Sequence, residues 1–129
     1  MRPYSFHAHV YFDGSTSLEA VQLREELRRR FDVTLGRLHR TPVGPHPKPM
    51  FQVRFDLAAF SPIVPWLMLN RSGLDVLVHP ETGDDLLDHT EHALWLGTPL
   101  SLNLAALVEE GATTAGQSAA RSSATMKVR

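Results

Sequence analysis

The order and periodicity of the apolar residues predict one α+β domain of the pattern βαββαβ, a four-stranded antiparallel sheet with two helices on one face. Three observations carry this expectation. Apolar residues alternate with period two in four short stretches, they recur at helical spacing in two longer ones, and clusters of Gly, Pro and Asp separate these stretches.

The first strand occupies residues 4–12, where Tyr4, Phe6, Ala8, Val10 and Phe12 point one way and Ser5, His7, His9 and Tyr11 the other. Asp13, Gly14 and Ser15 break it. Thr16 and Glu19 then stand at capping-box spacing ahead of Ala20, Leu23, Leu27 and Phe31, which predicts a helix over about residues 16–30. Its Arg24, Arg28, Arg29 and Arg30 are interleaved with Glu25 and Glu26, the pattern of a solvated helix face rather than a basic patch. Residues 33–39 read as the second strand, and residues 41–49 as a loop stiffened by four prolines.

The third strand covers residues 50–56, with Phe51, Val53 and Phe55 on one face and Met50, Gln52 and Arg54 on the other. The second helix is expected to open with Ser61 as N-cap and Pro62 at the first helical position, to carry Ile63, Val64, Leu67 and Met68, and to stop at Gly73. A fourth strand over residues 74–79 sets Leu74, Val76 and Val78 against Asp75, Leu77 and His79. After the turn at residues 80–83 comes a short helix over 88–96 ended by Gly97, and residues 100–107 read as a further strand or short helix. The main elements in this order form the ferredoxin-like pattern, with strand order 4-1-3-2. From residue 111 onwards the chain is small and polar with almost nothing to bury. The domain is therefore expected over 1–110 and a disordered tail over 111–129.

At 129 residues the chain is long enough to bury a core without disulfide staples or a structural metal, so a metal would be present for chemistry. It has no cysteine, which removes thiol nucleophiles, Cys-type zinc sites and disulfides together and suits a reducing, cytoplasmic setting. Thirteen basic residues against 14 acidic ones leave no cationic excess to release counterions from phosphates, which argues against a nucleic-acid partner. No apolar run approaches the ~18 residues of a membrane span, and the N-terminus lacks the features of a signal peptide.

Seven histidines are the unusual feature. Strand 1 is expected between strands 3 and 4, parallel to the first and antiparallel to the second. The starts of strands 1 and 3 and the end of strand 4 would then share one sheet edge, bringing together His7, His9, His46 and His79. These lie on the face opposite the helices, along with Gln52 and Arg54. A second copy of the chain is expected to cover that face, giving a homodimeric α+β barrel with a pocket inside.

Neutral imidazoles converging in a protected pocket suit a divalent transition metal such as iron, manganese or zinc. The ligands would be three histidines, or two with a carboxylate from Asp75, Glu81 or Asp88. Arg54 either clamps a substrate carboxylate or pairs with a partner subunit. His39 reads as a surface residue at a strand end. His89 and His92, three apart on the short helix, are surface residues unless His89 serves as an acid/base group near the site. Trp66 and Trp95 read as core or interface residues.

The strings FHAHVYF (6–12), GPHPKPMFQV (44–53), VPWLMLNR (64–71), LVHPETGDDLLDH (77–89) and LWLG (94–97) resemble the DOPA 4,5-dioxygenase family. This is the small fungal and bacterial type with a ferredoxin-like fold, distinct from the larger extradiol enzymes. The resemblance covers about residues 4–107. It implies extradiol cleavage of a catechol such as DOPA by O2 and non-haem Fe(II), with zinc or manganese as crystal substitutes. On that resemblance His9, His46 and His79 are the expected metal ligands, and His7 and His89 the catalytic acid/base groups, with His7 and His9, on the same strand face, able to exchange roles. Gln52 and Arg54 would contact substrate, Arg54 through the carboxylate of a DOPA-like side chain. The competing expectations are a cofactor-free barrel monooxygenase or isomerase, a non-catalytic small-molecule binder, and a zinc hydrolase.

Overall fold

A computed structural model describes residues 5–108 of the chain. Its elements are β1 (Ser5–Tyr11), α1 (Ser17–Arg30), β2 (Thr34–Leu35), β3 (Met50–Asp56), α2 (Leu57–Asn70), β4 (Val76–Pro80), α3 (Asp85–Asp88) and β5 (Leu94–Leu96). They form one five-stranded sheet of order β2-β3-β1-β4-β5, with antiparallel pairing at every junction. The expected 4-1-3-2 arrangement is embedded in it, and β5 adds an edge strand beside β4. The polar stretch from residue 111 lies outside the described residues.

Alternation along the strands sorts the two faces. Ala8, Val10, Phe51, Val53, Phe55, Val76 and Val78 are buried against Ala20, Leu23 and Leu27 of α1 and Ile63, Val64 and Leu67 of α2. Burying these side chains supplies most of the driving force for folding, at about 1.5–3 kcal/mol for each large one. A smaller cluster on the other face joins Tyr11, Met50 and Leu77 to Ala93, Trp95, Leu100 and Leu102. The face expected to need a second copy is thus covered in large part by residues 93–102 of the same chain. Among the described residues no helix is long and apolar enough to cross a membrane.

Several local expectations change. The capping box at Thr16 is absent: the Thr16 hydroxyl accepts from the Asp13 amide instead of capping the helix. α2 begins at Leu57 because Asp56, the last residue of β3, caps it by accepting from the Ala59 amide at 3.0 Å. Pro62 and Pro65 therefore lie inside the helix, where each removes one backbone hydrogen bond. β2 shrinks to two residues. Beyond it the Gly36 amide still donates to the Gln52 carbonyl at 2.8 Å, the Gly36 carbonyl accepts two bonds from the Arg24 guanidinium, at 2.9 and 2.8 Å, and a further bridge to β3 forms at His39–Met50. The other arginines of α1 pair with Glu25 and Glu26, as a solvated face requires. Residues 88–96 are not a helix. α3 ends at Asp88, and Leu94–Leu96 pairs with Val76–Val78, because Trp95 gains a stacked contact with Tyr11 at 6.0 Å. Residues 104–108 are helical.

The strand directions also differ from the expectation. The α1 crossover returns the chain so that β2 runs parallel to β1, and the turn back into β3 then sets β3 antiparallel to β1. Ser5 pairs with Asp56 and Tyr11 with Met50. The start of β1 therefore lies beside the end of β3, and the loop that carries His46 enters β3 at the opposite end of the sheet, beside Tyr11.

Candidate metal centre

His7 and His9 project from β1 and His79 from β4, with His7 directly paired to both His79 and Arg54. His46 reaches them differently. Its loop closes on itself through the Val43–His46 bridge and is pinned by the Asn103 amide donating to the Pro45 carbonyl at 2.8 Å. This folds His46 over the sheet, where its ring centre lies 4.1 Å from that of His9. His89 follows α3 and places its ring 4.2 Å from that of His79.

Five histidines from four segments thus meet on the face away from the helices, and His9, His46, His79 and His89 are buried. Their nitrogens form two triads, His7–His9–His79 and His9–His46–His89, each with its ligand atoms within 4.8 Å of one another. His9 belongs to both. The trio expected from the sequence, His9, His46 and His79, is divided between them.

The hydrogen bonds fix which nitrogens are available. Nδ1 of His79 lies 2.8 Å from the Pro80 carbonyl and Nδ1 of His89 lies 2.7 Å from the Asp85 carbonyl. A carbonyl only accepts, so both Nδ1 atoms carry the hydrogen and both Nε2 atoms hold lone pairs. Nδ1 of His46 is 2.7 Å from the buried Tyr11 hydroxyl, which leaves Nε2 as the nitrogen free of that bond. Nε2 of His9 faces Nε2 of His79 at 3.1 Å, and its Nδ1 has no partner. Whichever tautomer His9 adopts, one of its nitrogens is unsatisfied within the chain. Nε2 of His7 is instead engaged by Glu81 at 3.2 Å.

Burial is the main force holding these imidazoles neutral, and mutual repulsion between their charged forms adds to it. Together they push His9 and His79 well below the ordinary histidine value and His46 down to about 3. For His89, burial outweighs its bond to the Asp85 carbonyl and the nearby carboxylates of Asp85 and Asp88, so it too is lowered. Burial likewise raises the Tyr11 phenol far above its usual range, keeping it protonated. Neutral imidazoles with free lone pairs, an unsatisfied nitrogen on His9 and the absence of thiols make a donor set suited to a borderline divalent metal.

The remaining expected residues lie around this cluster. Arg54 is half exposed and donates through Nε to Glu81 at 3.0 Å. Gln52, paired with His9 across the strands, has a buried and unpartnered Oε1. Of the candidate carboxylates Asp75, Glu81 and Asp88, Glu81 is the one bonded to a cluster histidine, His7. Burial alone would raise its carboxyl, but His7 and Arg54 outweigh burial and hold it at about 2. Asp88 is buried and accepts from the amide and hydroxyl of Thr82 and from His92. Asp75 accepts from the Thr98 amide at 2.8 Å. His39 is lowered by partial burial and by Arg37, and its backbone bridges Met50. Tyr11 was not expected at the site; its place two residues beyond His9 on the same strand face was the available signal.

Comparison with known proteins adds to this geometry. The family described as the Dopa 4,5-dioxygenase family matches residues 6–106. A Botryotinia fuckeliana protein described as an uncharacterized 21.2 kDa protein is 38% identical over 112 residues, covering 78% of this chain and 61% of its own. A DOPA 4,5-dioxygenase of Amanita muscaria is 36% identical over 111 residues, covering 79% of this chain and 49% of its own. The chain thus spans about half to three-fifths of the length of these curated relatives. A crystal structure from Nostoc punctiforme, of a protein provisionally described as a dioxygenase, superposes with a TM-score of 0.82 at 54% identity, covering 83% of this chain and 93% of that one.

Proposed function

This chain belongs to the Dopa 4,5-dioxygenase family, and from that premise we propose that it is an extradiol dioxygenase that opens a catechol such as DOPA with O2 and non-haem Fe(II). The observation that carries the reading is the histidine cluster around His9, in which His46, His79 and His89 are each tethered through Nδ1, leaving Nε2 as the ligand nitrogen, that of His79 meeting Nε2 of His9 at 3.1 Å. We assign His9 as the shared ligand, with His46, His79 and His89 supplying the other nitrogens through Nε2. When bound, ferrous iron supplies the one-electron chemistry that spin-paired catechol needs to react with dioxygen.

The chain's own groups handle binding and protons. A catechol must lose at least one hydroxyl proton as it binds. His7 is placed to take it: Glu81 accepts from Nε2, so Nδ1 is the basic nitrogen that remains. Glu81 then stabilises the imidazolium that results, as the carboxylate of a carboxylate–histidine pair does. Arg54 offers its terminal nitrogens to a substrate carboxylate, and the unpartnered Oε1 of Gln52 accepts from a substrate or water donor. The closed loop over His46 and the cover by Trp95, Leu100 and Leu102 keep bulk water from the inner side of the site.

The test is direct. Protein purified without chelators or an affinity tag, loaded anaerobically with Fe(II) and mixed with L-DOPA in air, gives a yellow ring-cleavage product. Bound iron with no absorbance change for any catechol would instead make the site a binding pocket.

A further inference from the structure

Three side chains beside the histidine cluster, Arg54, His7 and Glu81, are not assigned to the metal. Arg54 on β3 is the register partner of His7 on β1, which is the partner of His79 on β4. Glu81 follows β4 directly and is fixed there by its amide donating to the Ser5 carbonyl at 2.9 Å. Its Oε2 accepts from both His7, at 3.2 Å, and Arg54, at 3.0 Å. That leaves Glu81 Oε1 and the two terminal nitrogens of Arg54 without hydrogen-bond partners among the described residues. Both side chains are open to solvent, 31% for Glu81 and 52% for Arg54, whereas His7 beside them is 12% exposed. The pair therefore stands at the rim of the histidine cluster, with its unused polar atoms accessible.

We infer that Glu81 is a specificity-determining residue: with Arg54 it forms a two-charge clamp for a zwitterionic substituent on the catechol, Oε1 taking an ammonium and the guanidinium a carboxylate. The inference rests on the catechol reading above and adds to it the role of Glu81 as the partner of a substrate ammonium. The bond between the two residues, Arg54 Nε to Glu81 Oε2 at 3.0 Å, sets them side by side, as the two groups of an α-amino acid are. An acid without an ammonium would meet Glu81 as a like charge next to Arg54 and would have to compete with it. A zwitterion satisfies both partners. Glu81 bonds His7, whose ring centre lies 5.6 Å from that of His9 and 5.2 Å from that of His79, so the clamp stands one imidazole ring away from the rest of the cluster.

Four catechols separate the contributions: L-DOPA with both charges, dopamine with the ammonium alone, dihydrocaffeate with the carboxylate alone, and 4-methylcatechol with neither. Their dissociation constants are measured anaerobically by calorimetry on the iron-loaded full chain, together with KM and kcat in air. Glu81→Gln is expected to weaken L-DOPA and dopamine about tenfold relative to 4-methylcatechol, and to leave dihydrocaffeate no weaker. Arg54→Gln is expected to weaken L-DOPA and dihydrocaffeate by a similar ratio. Because 4-methylcatechol is the internal reference, any effect of Glu81 exerted only through His7 cancels in these ratios. Equal losses for all four ligands in Glu81→Gln, or no change in the ratios, would overturn the clamp while leaving the ring-cleavage reading intact. A wild-type protein that binds none of the four would overturn that reading and the clamp together.

Discussion

The Tyr11 hydroxyl and Nδ1 of His46 lie 2.7 Å apart in the interior, joining the strand that carries His7 and His9 to the loop that carries His46. A hydroxyl can donate or accept, so the bond survives either tautomer of the imidazole and fixes the ring rather than its proton. On the far side of Tyr11, Trp95 stacks at 6.0 Å and closes the face. The order His, Tyr, Trp thus runs from the cluster outwards, each ring limiting the freedom of the one before it.

Tyr11→Phe keeps the stack and deletes only the hydroxyl. It should cost about 1 kcal/mol of stability and weaken metal binding roughly 10- to 100-fold, the usual effect of releasing a ligand from its orienting partner. Competition against a chromophoric chelator measures the affinity. Unchanged affinity would mean that His46 is held by its loop alone.

The metal-free protein should lose stability in acid. His9, His46 and His79 have folded-state values below their unfolded ones, His46 at about 3. Between about 6.5 and those lower values the unfolded chain binds more protons, so stability is fully present above about pH 6.5 and falls as the pH drops toward the folded values. Protons compete with metal for the same nitrogens, so affinity should fall in the same direction. Urea midpoints of chelator-treated protein between about pH 7 and about pH 4 check this, and a flat profile would mean the imidazoles are not buried in solution.

Asp88→Ala should be among the costliest changes away from the core. The buried carboxylate holds the Thr82 amide and hydroxyl and reaches His92, so its loss strands two donors of Thr82 at the segment joining β4 to α3. We expect a loss of about 2–4 kcal/mol in thermal or chemical unfolding. A cost below about 0.5 kcal/mol would show that water replaces the carboxylate without penalty.

Gly97→Ala tests the turn after β5. Gly97 has φ of 87°, and a Cβ there would sit 2.5 Å from the Asp75 carboxylate oxygen that accepts from the Thr98 amide. Strain and displaced contact together should cost about 1–3 kcal/mol, read as a lowered unfolding midpoint. An unchanged midpoint would mean that the turn adopts another conformation in solution.

The parts of this molecule that follow local rules were legible in its sequence. Alternation in residues 4–12 and 50–56 identified the two central strands and their faces, and those faces put His7, His9, Gln52 and Arg54 opposite the helices. Features decided by distant contacts were less accessible. Leu94–Leu96 has no helical or strand signal strong enough by itself, and it becomes a strand because β4 offers an open edge and Tyr11 offers a ring to Trp95. Asp56 caps α2 while ending β3, a double role that hid the true start of the helix. His46 was expected at the cluster for the wrong reason: β1 and β3 are antiparallel, and the loop's own closure brings the ring back over the sheet. The division of nitrogens between two triads depends on side-chain orientation, on which sequence spacing is silent.

The ring of His9 stands in both triads, so its removal tests the metal site most directly. Iron content of wild type and His9→Ala, purified identically and reconstituted anaerobically with Fe(II), is measured by mass spectrometry, with circular dichroism verifying the fold. Stoichiometric iron in the wild type and a loss of at least about tenfold in the variant is the predicted result. Equal iron in the two folded proteins would contradict a metal centre built around His9.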